Sequence, residues 1–483
     1  RTKIIILIFY IINGGLNEMS NTSQASNRIN SLLDENSFVE IGALVTARAT
    51  DFNMNPKEAP ADGVVTGYGL IDGKLVYVYS QDSSVLGGSI GEMHAMKITK
   101  LYDLAMKTGA PVIGLIDSCG MRLQESTDAL NALGTIYQKQ AMASGVVPQI
   151  AAVFGNCGGG LSAIAAMSDF VVMSDKAKLY TVSPNAIEGN YEGKCDTASA
   201  DFRAKEAGDV DIVCDENSVY ANVRALVSML PSNNEDGDCI EECTDDINRV
   251  CTNIAGYGND AVSIITMLAD NNEYVELKAD FAKAMTTGFI KLNGSTVGVV
   301  ANTKTDKKEA VLGSCGCAKA AEFITFCDAF DIPVLSLSSV KNFGSCMNCE
   351  KKLAKSMAKL IYAFANATVP KVNVIYGDVY GTAAAVMNSK ALGCDITFAW
   401  ENAKVGMMDS KLAAQILADG KDADEKKKVE ADYNALQESV TAARRGYVDT
   451  VIAADDTRKY VIGAFDMLYT KREDRPVKKH GAF

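Results

Sequence analysis

The sequence predicts an α/β protein that consists of two tandem domains related by internal duplication. The first observation is that segments of one half return in the other half at a constant separation. Lys97 pairs with Lys319 and Gly155 pairs with Gly377, and the separation along the chain is identical for the two pairs. The second observation is that short apolar segments alternate with an amphipathic helix inside each repeat. This is the order of β–α crossover units.

Each repeat begins with two strands, which are expected within 67–80 and within 287–302. An amphipathic helix follows around Lys97. Its apolar residues recur at helical spacing: Ile98, Leu101, Leu104 and Ala105. The next segments, "PVIGLI" and "PVLSL", are rich in Val, Ile and Leu and are typical of buried parallel strands. A glycine turn, a helix of small residues and one more strand complete the predicted repeat.

The two halves are separated by a more polar stretch, residues 185–258, which includes an acidic patch at 233–246. We place the domain boundary near the end of this stretch. The sequence therefore predicts an N-terminal domain over 19–258 and a C-terminal domain over 259–483.

Residues 1–18 form an unusual leader. The apolar run at 4–12 follows Arg1 and Lys3 and resembles the central region of a signal peptide. It is too short to span a bilayer, and the leader is rich in residues that AT-rich codons encode. We interpret it as translated upstream sequence and expect the natural protein to begin at Met19.

The composition is that of a folded globular protein, since 48% of its residues are hydrophobic and 22% are charged. The net charge of −13 argues against nucleic acid or an anionic membrane as the main partner. The chain has 13 cysteines, an odd number, which are scattered through apolar and glycine-rich segments. We expect them to be reduced thiols in the cytoplasm.

The glycine turns are the strongest functional signal. Three consecutive glycines, Gly158, Gly159 and Gly160, precede a helix of small residues. Backbone N–H groups at a helix start have no partner inside the helix, and glycine lets a ligand oxygen approach them closely. Such an arrangement is an oxyanion hole, which stabilises charge that develops on a carbonyl oxygen.

The second half repeats this turn around Gly381, Thr382 and Ala383. Two oxyanion holes suit a reaction between two carbonyl groups. For a single turn of this kind, close packing of helix against sheet would be the favoured explanation. The recurrence of the turn at the same separation favours the functional interpretation.

Several longer segments resemble the carboxyltransferase subunit of biotin-dependent acyl-CoA carboxylases and decarboxylases. The likeness covers roughly 31–483. The segments that carry it are "APADGVVTGYGLIDG", "GGSIGEMHAMKITKLYDLAMKTGAPVIGLIDSCGMRLQE", "LPSNNEDG", "SKALGCDITFAWENAKVGMM" and "RGYVDTVI". The resemblance implies a duplicated crotonase-like fold of the ClpP/crotonase superfamily.

The resemblance also implies the reaction. The family moves a carboxyl group between the N1 of biotin and the α-carbon of a short acyl-CoA thioester, through an enolate and a ureido anion. It places the thioester oxygen at Gly159 and Gly160, next to Gly158. It places the biotin urea oxygen at Thr382 and Ala383, next to Gly381. Neither anion requires a side-chain base, which fits a chain with two histidines.

The expected partners follow from the same resemblance. Members form homohexamers, as trimers of dimers, in which an active site lies between the N-domain of one chain and the C-domain of another. Biotin would arrive on a separate carrier protein, the biotin carboxyl carrier protein. A biotin carboxylase or a membrane decarboxylase subunit would complete the complex, and any membrane association would pass through that subunit.

Three departures from the family pattern leave the acyl chain and the direction of transfer open. Thr382 stands where the second turn usually has glycine, and it would narrow the pocket. The segment 118–122 reads Ser-Cys-Gly-Met-Arg where many members have Ser-Gly-Gly-Ala-Arg, and the loop at 340–349 is also different. The helix segment is closest to decarboxylase subunits, which favours decarboxylation.

Other candidate residues have competing interpretations. Arg122 is assigned to cofactor binding, as a clamp for phosphate or carboxylate, with a structural ion pair as the alternative. His94 could line the site, although a structural role is favoured. Lys97 and Lys107 lie in segments that resemble a biotin attachment motif, but we interpret both as ordinary helix surface.

Two cysteine pairs, Cys315 with Cys317 and Cys346 with Cys349, are expected on loops near the second oxyanion turn. They could bind zinc or an iron–sulfur cluster. Their spacing matches no established zinc site, so buried thiols are favoured.

Two other functions stay open at this stage. The crotonase-like fold also supports acyl-CoA hydratases, isomerases and hydrolases, but hydration would need paired carboxylates near Gly159, and the sequence places none on the adjacent turns. The chain could also be a non-catalytic CoA-binding subunit of a larger assembly. CoA binding without carboxyl exchange would identify that case.

Overall fold

The computed structural model describes most of the chain. The described residues are 23–48, 59–190, 194–236, 242–305, 310–476 and 481. The leader at 1–18 and the expected start at Met19 lie outside them. The contacts between residues divide the chain into two compact units, Arg1–Asn234 and Glu235–Phe483. The boundary predicted after residue 258 stays a prediction.

The first unit is built on an eight-stranded sheet. Its strands are β1 Val39–Glu40, β2 Val64–Ile71, β3 Lys74–Gln81, β4 Val112–Ser118, β5 Gln149–Gly158, β6 Phe170–Ser174, β7 Lys178–Tyr180 and β8 Ile212–Cys214. The order is β1-β2-β3-β4-β5-β6-β8, and β7 pairs with the end of β5. The first three strands are antiparallel, and β3 to β8 are parallel. The central strand β4 is buried along its whole length, as its apolar sequence predicts.

The first unit has six α-helices among its described residues. They are α1 Gln24–Leu32, α2 Glu92–Thr108, α3 Thr127–Ala143, α4 Leu161–Met167, α5 Ala200–Phe202 and α6 Glu216–Met229. Four of them, α2 to α5, lie between parallel strands. The predicted amphipathic helix is α2, which buries Ile98, Leu101 and Ala105 in the main core of the unit. The predicted repeat contained α2 and α4 but not α3, which connects β4 to β5.

The second unit repeats this arrangement. Its strands are β9 Tyr274–Leu277, β10 Met285–Leu292, β11 Ser295–Asn302, β12 Val311–Leu312, β13 Val334–Ser338, β14 Asn342–Phe343, β15 Lys371–Ile375, β16 Val379–Tyr380, β17 Ile396–Trp400, β18 Val405–Gly406 and β19 Thr450–Ile452. The main sheet has the order β19-β17-β15-β13-β11-β10-β9, while β12 pairs with β14 and β16 pairs with β18. An antiparallel hairpin again leads into parallel strands.

The helices of the second unit also follow the order of the first. They are α7 Ala261–Leu268, α8 Ser314–Ala329, α9 Met347–Asn366, α10 Gly381–Val386, α11 Ser410–Leu417, α12 Ala423–Leu436, α13 Ser439–Arg444 and α14 Thr457–Leu468. The counterparts of α2, α3 and α4 are α8, α9 and α10, since each connects the equivalent pair of strands. The duplication predicted from the sequence is therefore confirmed in the fold.

A duplicated ionic contact secures the hairpin of each unit. In the first unit, the carboxylate of Asp34 accepts hydrogen bonds from the turn amides of Asp72 and Gly73, at 3.1 and 3.0 Å. Arg224 donates to Asp34 at 2.8 Å and to the Leu32 carbonyl at 2.9 Å. Both turn residues have positive φ, which is the geometry of a type I′ hairpin.

The second unit makes the same contact with different residues. Asp270 accepts from the turn amides of Asn293 and Gly294 at 3.1 and 2.7 Å. Arg458 donates to Asp270 and to the Leu268 carbonyl, both at 2.6 Å. The two contacts join helix, hairpin turn and arginine in the same way, so the duplication extends to side chains.

A buried lysine is also duplicated, and here the sequence interpretation was wrong. Lys97 is 3% exposed rather than on the helix surface, and its Nζ donates to the carbonyls of Ala61 and Val64. Burial lowers the pKa of Lys97 to about 8. Lys319 is equally buried and donates to three backbone carbonyls at 2.7 to 3.0 Å. Lys107 is exposed, as predicted.

Candidate active site

The first glycine turn joins β5 to α4. Gly158 ends the strand, Gly159 has a φ of +63°, and Gly160 is the cap residue before the helix. The Gly159 N–H donates to the Tyr180 carbonyl at 2.9 Å, because β7 pairs with the end of β5. Among the described residues the Gly160 N–H has no acceptor. The Gly160 N–H is therefore free to donate a hydrogen bond to a ligand oxygen.

The three glycines differ in the space around them. A Cβ on Gly159 would meet no atom within 4 Å, whereas a Cβ on Gly158 would lie 2.8 Å from the Tyr180 hydroxyl. A Cβ on Gly160 would lie 2.7 Å from Leu133 and 2.8 Å from the hydroxyl of Tyr137. Close packing therefore explains two of the three glycines. Only Gly159 faces open space.

The side chains of α4 are mostly small because α3 packs directly on this helix. The Tyr137 hydroxyl donates to the Gly160 carbonyl at 2.6 Å, and the Gln140 amide donates to the Ile164 carbonyl at 2.7 Å. Both donors lie on α3. The sequence did not indicate these contacts, since α3 was not part of the predicted repeat.

The second glycine turn joins β16 to α10. Gly381 has a φ of +61° and is the first residue of the helix, followed by Thr382 and Ala383. N–H groups in the first turn of a helix have no acceptor inside the helix. Ala383 is buried and Thr382 is exposed. The turn therefore presents a short row of amides.

The two turns correspond residue by residue. Gly159 and Gly381 are equivalent positions of the repeat and share the same left-handed backbone, with φ of +63° and +61°. A second pair of glycines also corresponds. A Cβ on Gly155 would lie 2.0 Å from the carboxylate of Asp117, and a Cβ on Gly377 would lie 2.4 Å from the hydroxyl of Ser339. Asp117 and Ser339 are themselves equivalent positions, with the same separation along the chain.

Asp117 is a carboxylate that contacts β5 just before the first turn, and its oxygens are fully engaged. Arg28 donates to it at 3.1 Å, the Ser83 hydroxyl at 3.0 Å and the Asn156 amide at 3.3 Å. The guanidinium of Arg28 is buried as well. An ion-paired carboxylate of this kind positions the end of β4, and it is poorly suited to act as a general base.

Arg122 is a structural residue, which corrects its assignment to cofactor binding. Its side chain is fully buried and ion-paired with Asp62 and, at 2.9 Å, with Glu125. The remaining nitrogens donate to the hydroxyl and carbonyl of Ser89 at 3.3 and 2.7 Å. All three guanidinium nitrogens are therefore occupied within the protein. The structural ion pair, given above as the alternative, is the one observed.

His94 belongs to the same buried network. Its Nδ1 lies 2.9 Å from the Asp62 carbonyl, so Nδ1 carries the proton, and Nε2 accepts from the Gln81 side-chain amide at 3.2 Å. Burial lowers the pKa of His94 to about 3. The histidine is therefore neutral and fixed, and the favoured structural role is confirmed.

The two cysteine pairs lie at helix starts rather than on loops. Cys315 and Cys317 begin α8, while Cys346 caps α9 and Cys349 lies in its first turn. All four are free thiols, but Cys315 and Cys346 are exposed, so the expectation of buried thiols was wrong for these two. In the part of the chain that the structure describes, no group of three or more His, Cys, Asp or Glu side chains is arranged to hold a metal ion.

A cavity of about 240 Å³ opens at the carboxyl ends of β15 and β17. Its wall includes Asn259, Tyr376, Trp400 and Glu401. The rings of Tyr376 and Trp400 meet edge to face at 5.7 Å. Carboxyl ends of parallel strands are the usual position of ligand sites in open α/β sheets. The sequence analysis did not identify these residues, because they come from three separate segments.

Comparison with known proteins gives one consistent family. A family model described as a carboxyl transferase domain matches residues 19–483. A propionyl-CoA carboxylase beta chain of Roseobacter denitrificans is 41% identical over 476 residues, which is 94% of this chain and 92% of that protein. A methylmalonyl-CoA decarboxylase subunit alpha of Propionigenium modestum is 38% identical over 482 residues, 95% of this chain and 92% of that protein.

A solved structure agrees with these relatives. The crystal structure of transcarboxylase 12S, with methylmalonyl-coenzyme A and methylmalonic acid bound, matches with a TM-score of 0.88 and 35% identity. The match covers 95% of this chain and 92% of that one. The predicted fold class, two tandem crotonase-like α/β domains, is confirmed. No helix among the described residues is long and apolar enough to cross a membrane.

Proposed function

The chain belongs to the carboxyl transferase family and is a biotin-dependent acyl-CoA carboxyltransferase, and on this premise we propose a role for each of its glycine turns. The turn at Gly159 and Gly160 holds the thioester oxygen of the acyl-CoA. The turn at Gly381, Thr382 and Ala383 holds the urea oxygen of biotin. Gly158 belongs to the first turn and fixes its packing.

The observation that carries this proposal is the correspondence of the turns. Gly159 and Gly381 have the same left-handed backbone at equivalent positions of the repeat, and each lies at the turn into a short helix of small residues. A packing requirement alone would not preserve a left-handed glycine in both repeats, since the surrounding side chains differ. A shared requirement for amide donors accounts for both turns.

At the first turn, the donor that we assign to the thioester oxygen is the Gly160 N–H. The Gly159 N–H already serves the Tyr180 carbonyl, so this contact holds the turn while the next amide faces the opening. When the α-carbon gains or loses a carboxyl group, negative charge moves onto the thioester oxygen. A preorganised amide lowers the free energy of that charged state.

At the second turn, the residues fit a urea carbonyl. The turn offers backbone amides, and the exposed side chain of Thr382 adds no charge that would compete with them. Biotin, when bound, supplies or accepts the carboxyl group at its N1. The role of this chain is to bind and orient the urea oxygen, and no side chain need take a proton there.

A hydratase or isomerase is a poorer fit to the first unit. Such enzymes use a carboxylate as general acid or base near the thioester. Asp117, near the end of β4, and Glu125, which follows that strand, are both paired with arginines. Their charges are already compensated within the protein.

We further propose the assembly and its partners. The crystal structure of the related transcarboxylase 12S is described as a hexamer assembly, and we expect a homohexamer, a trimer of dimers, of 51.5 kDa chains. A biotin carboxyl carrier protein would deliver biotin, and a biotin carboxylase or a membrane decarboxylase subunit would complete the complex. Free cysteines are typical of a reducing compartment, so we place the enzyme in the cytoplasm.

The test is carboxyl exchange between free biotin and an acyl-CoA, measured on the purified oligomer. Malonyl-CoA and methylmalonyl-CoA, tested separately, report the acyl preference. Light scattering on the same sample reports the assembly. CoA binding without any exchange would contradict the proposal and would favour the non-catalytic assembly role. A monomer with full activity would contradict the proposed assembly.

A further inference from the structure

The cysteine-rich helix starts of the second unit form one structural feature. The short strands β12 and β14 pair in parallel, with Leu312 beside Phe343, and each leads into a helix. Residues 313–317 begin α8, and residues 344–349 begin α9. The pairing therefore brings two Cys-containing helix starts side by side. We call these four cysteines the thiol cluster: Cys315, Cys317, Cys346 and Cys349.

Cys346 is the exposed member with a thiolate-stabilising position. It caps α9, and its sulfur accepts a hydrogen bond from the Cys349 backbone N–H at 3.2 Å. Hydrogen bonds from the side chain and the backbone amide of Cys349 lower the pKa of the Cys346 thiol. The helix has 20 residues, and the dipole of such a helix favours negative charge at its start.

Cys349 lies in a niche that two glycines create. A Cβ on Gly344 would lie 3.1 Å from the Cys349 sulfur, and a Cβ on Gly313 would lie 3.7 Å from it. The thiol is half-buried and donates its hydrogen bond to Cys346. A larger side chain at either glycine would displace it. The niche therefore fixes this second thiol against the first.

Cys317 is a neighbouring thiol that does not compete with Cys346 for an oxidant. It is fully buried, and burial raises its pKa to about 12, with the nearby sulfurs of Cys349 and Cys315 acting in the same direction. At neutral pH it stays protonated. Because the thiolate is the reacting form of cysteine, Cys317 does not take part in thiol exchange.

The first unit has different side chains at the corresponding position. There the Arg122 amide donates to the Ile90 carbonyl, as the Gly344 amide donates to the Leu312 carbonyl at the equivalent place in the second unit. In the first unit, the ion pair of Arg122 and Glu125 packs on Gly91, where a Cβ would meet both side chains. In the second unit, a thiol packs on the corresponding glycine.

We propose that Cys346 and Cys349 are a redox-active dithiol, oxidised to an intramolecular disulfide by a low-molecular-weight disulfide such as oxidised glutathione. The Cys346 thiolate attacks one sulfur of the oxidant, and one thiolate leaves. Cys349 then attacks the Cys346 sulfur of the mixed disulfide, and the second thiolate leaves. Two electrons pass from the protein to the oxidant, and the two protons of the dithiol end on the released thiols.

The disulfide would act on the second glycine turn. Both β14 and α9 pack against α10, which carries Gly381, Thr382 and Ala383. Oxidation joins Cys346 to the first turn of α9 and so alters the surface on which α10 rests. This effect on carboxyl transfer depends on the function proposed above for that turn, whereas formation of the disulfide does not.

Trypsin separates the two halves of the thiol cluster, which makes the pairing readable. One peptide, 309–319, contains Cys315 and Cys317, and another, 342–351, contains Cys346 and Cys349. The reduced oligomer is equilibrated in glutathione buffers of increasing potential, alkylated, digested and weighed. The expected result is a 342–351 peptide that lacks both alkyl groups and is lighter by two hydrogens. Two joined peptides, or alkylation of every thiol at all potentials, would overturn the proposed pair.

Kinetics and variants complete the test. Iodoacetamide is expected to modify Cys346 faster than the exposed Cys315 at pH 7, by about tenfold or more because of its larger thiolate fraction. Biotin-dependent exchange should fall several-fold on oxidation of the wild type and recover with dithiothreitol. The Cys349→Ser variant should lose this sensitivity, while Cys315→Ser should keep it. A disulfide that leaves exchange unchanged would overturn the effect on α10, and equal alkylation rates would overturn the role of Cys346 as nucleophile.

Discussion

Replacing Gly159 with alanine changes the opening of the first turn without disturbing its packing. A Cβ at this position meets no atom within 4 Å. The new methyl group is bonded next to the peptide that carries the Gly160 N–H. It therefore occupies the opening through which a thioester oxygen would reach that donor. The contact between the Gly159 N–H and the Tyr180 carbonyl stays possible.

The effect on stability and the effect on rate have different sizes. Because no atoms overlap, the cost in stability is that of a left-handed alanine, about 1 to 2 kcal/mol. For a unit of this length, each kcal/mol lowers the melting temperature by about 2 to 4 °C. Loss of one oxyanion donor costs about 2.7 to 4 kcal/mol of activation free energy, which is a hundred- to a thousandfold fall in rate.

Gly73→Ala is the matched control for this experiment. Gly73 has a φ of +78°, lies in the same unit and also has open space around its Cβ. Both variants should show a similar loss of melting temperature. Only Gly159→Ala should lose exchange between free biotin and malonyl-CoA or methylmalonyl-CoA. If the two variants keep similar exchange rates, the first turn does not hold the thioester oxygen.

Five more substitutions have distinct expected outcomes. Gly160→Val should lower the free energy of unfolding by about 1 to 3 kcal/mol, seen in thermal melts, because its side chain overlaps two residues of α3. Arg122→Met should cost about 3 to 5 kcal/mol in urea unfolding, since it leaves two buried carboxylates unpaired. Lys97→Met should abolish the increase in the free energy of unfolding that the wild type shows from pH 8 to 10. The folded pKa, about 8, lies below the unfolded 10.5, so the unfolded state binds more protons in this window and wild-type stability increases across it. Lys107→Met, on the same helix, should keep that rise in denaturation curves taken from pH 8 to 10. Thr382→Val should change exchange by less than about threefold, because the proposed donors of that turn are backbone amides.

The loss of stability expected for Gly160→Val could not be predicted from the sequence alone. A helix start tolerates valine in isolation, and the residues around Gly160 in the sequence do not show what a side chain there would meet. The structure places the side chains of Leu133 and Tyr137 where the new atoms would lie. Both belong to α3, which has no recognisable sequence counterpart in the second repeat. A search for repeats finds residues that duplication preserves, and outer helices diverge as long as they fill the same volume.

Two other features could not be read from the pattern of residues. The Gly159 N–H is not free, because it donates to the carbonyl of Tyr180. Tyr180 lies on a three-residue strand, and a strand this short has no recognisable periodicity in the sequence. Lys97 falls between apolar residues of an amphipathic helix, and periodicity predicts which face is buried. It does not reveal that Nζ reaches the carbonyls of Ala61 and Val64. By contrast, the alternation of buried strands and the recurring glycines were sufficient to predict the duplicated α/β fold.

The residues at corresponding positions of the two units also determine which step of the reaction a thiol oxidant can affect. In the first unit, the start of α2 is held by the Glu125 carboxylate, which accepts from the Glu92 amide at 2.6 Å and pairs with Arg122. Neither group is oxidised by a disulfide. In the second unit, α8 is the counterpart of α2, and the glycine at its start, Gly313, packs against the thiol of Cys349, which is hydrogen-bonded to Cys346. A thiol oxidant that acts through this pair should therefore change the rate constant for the biotin-side step and leave the affinity for acyl-CoA unchanged. A fall in acyl-CoA affinity on oxidation, retained in Cys349→Ser, would place the sensitive thiol in the first unit, where Cys119 is exposed.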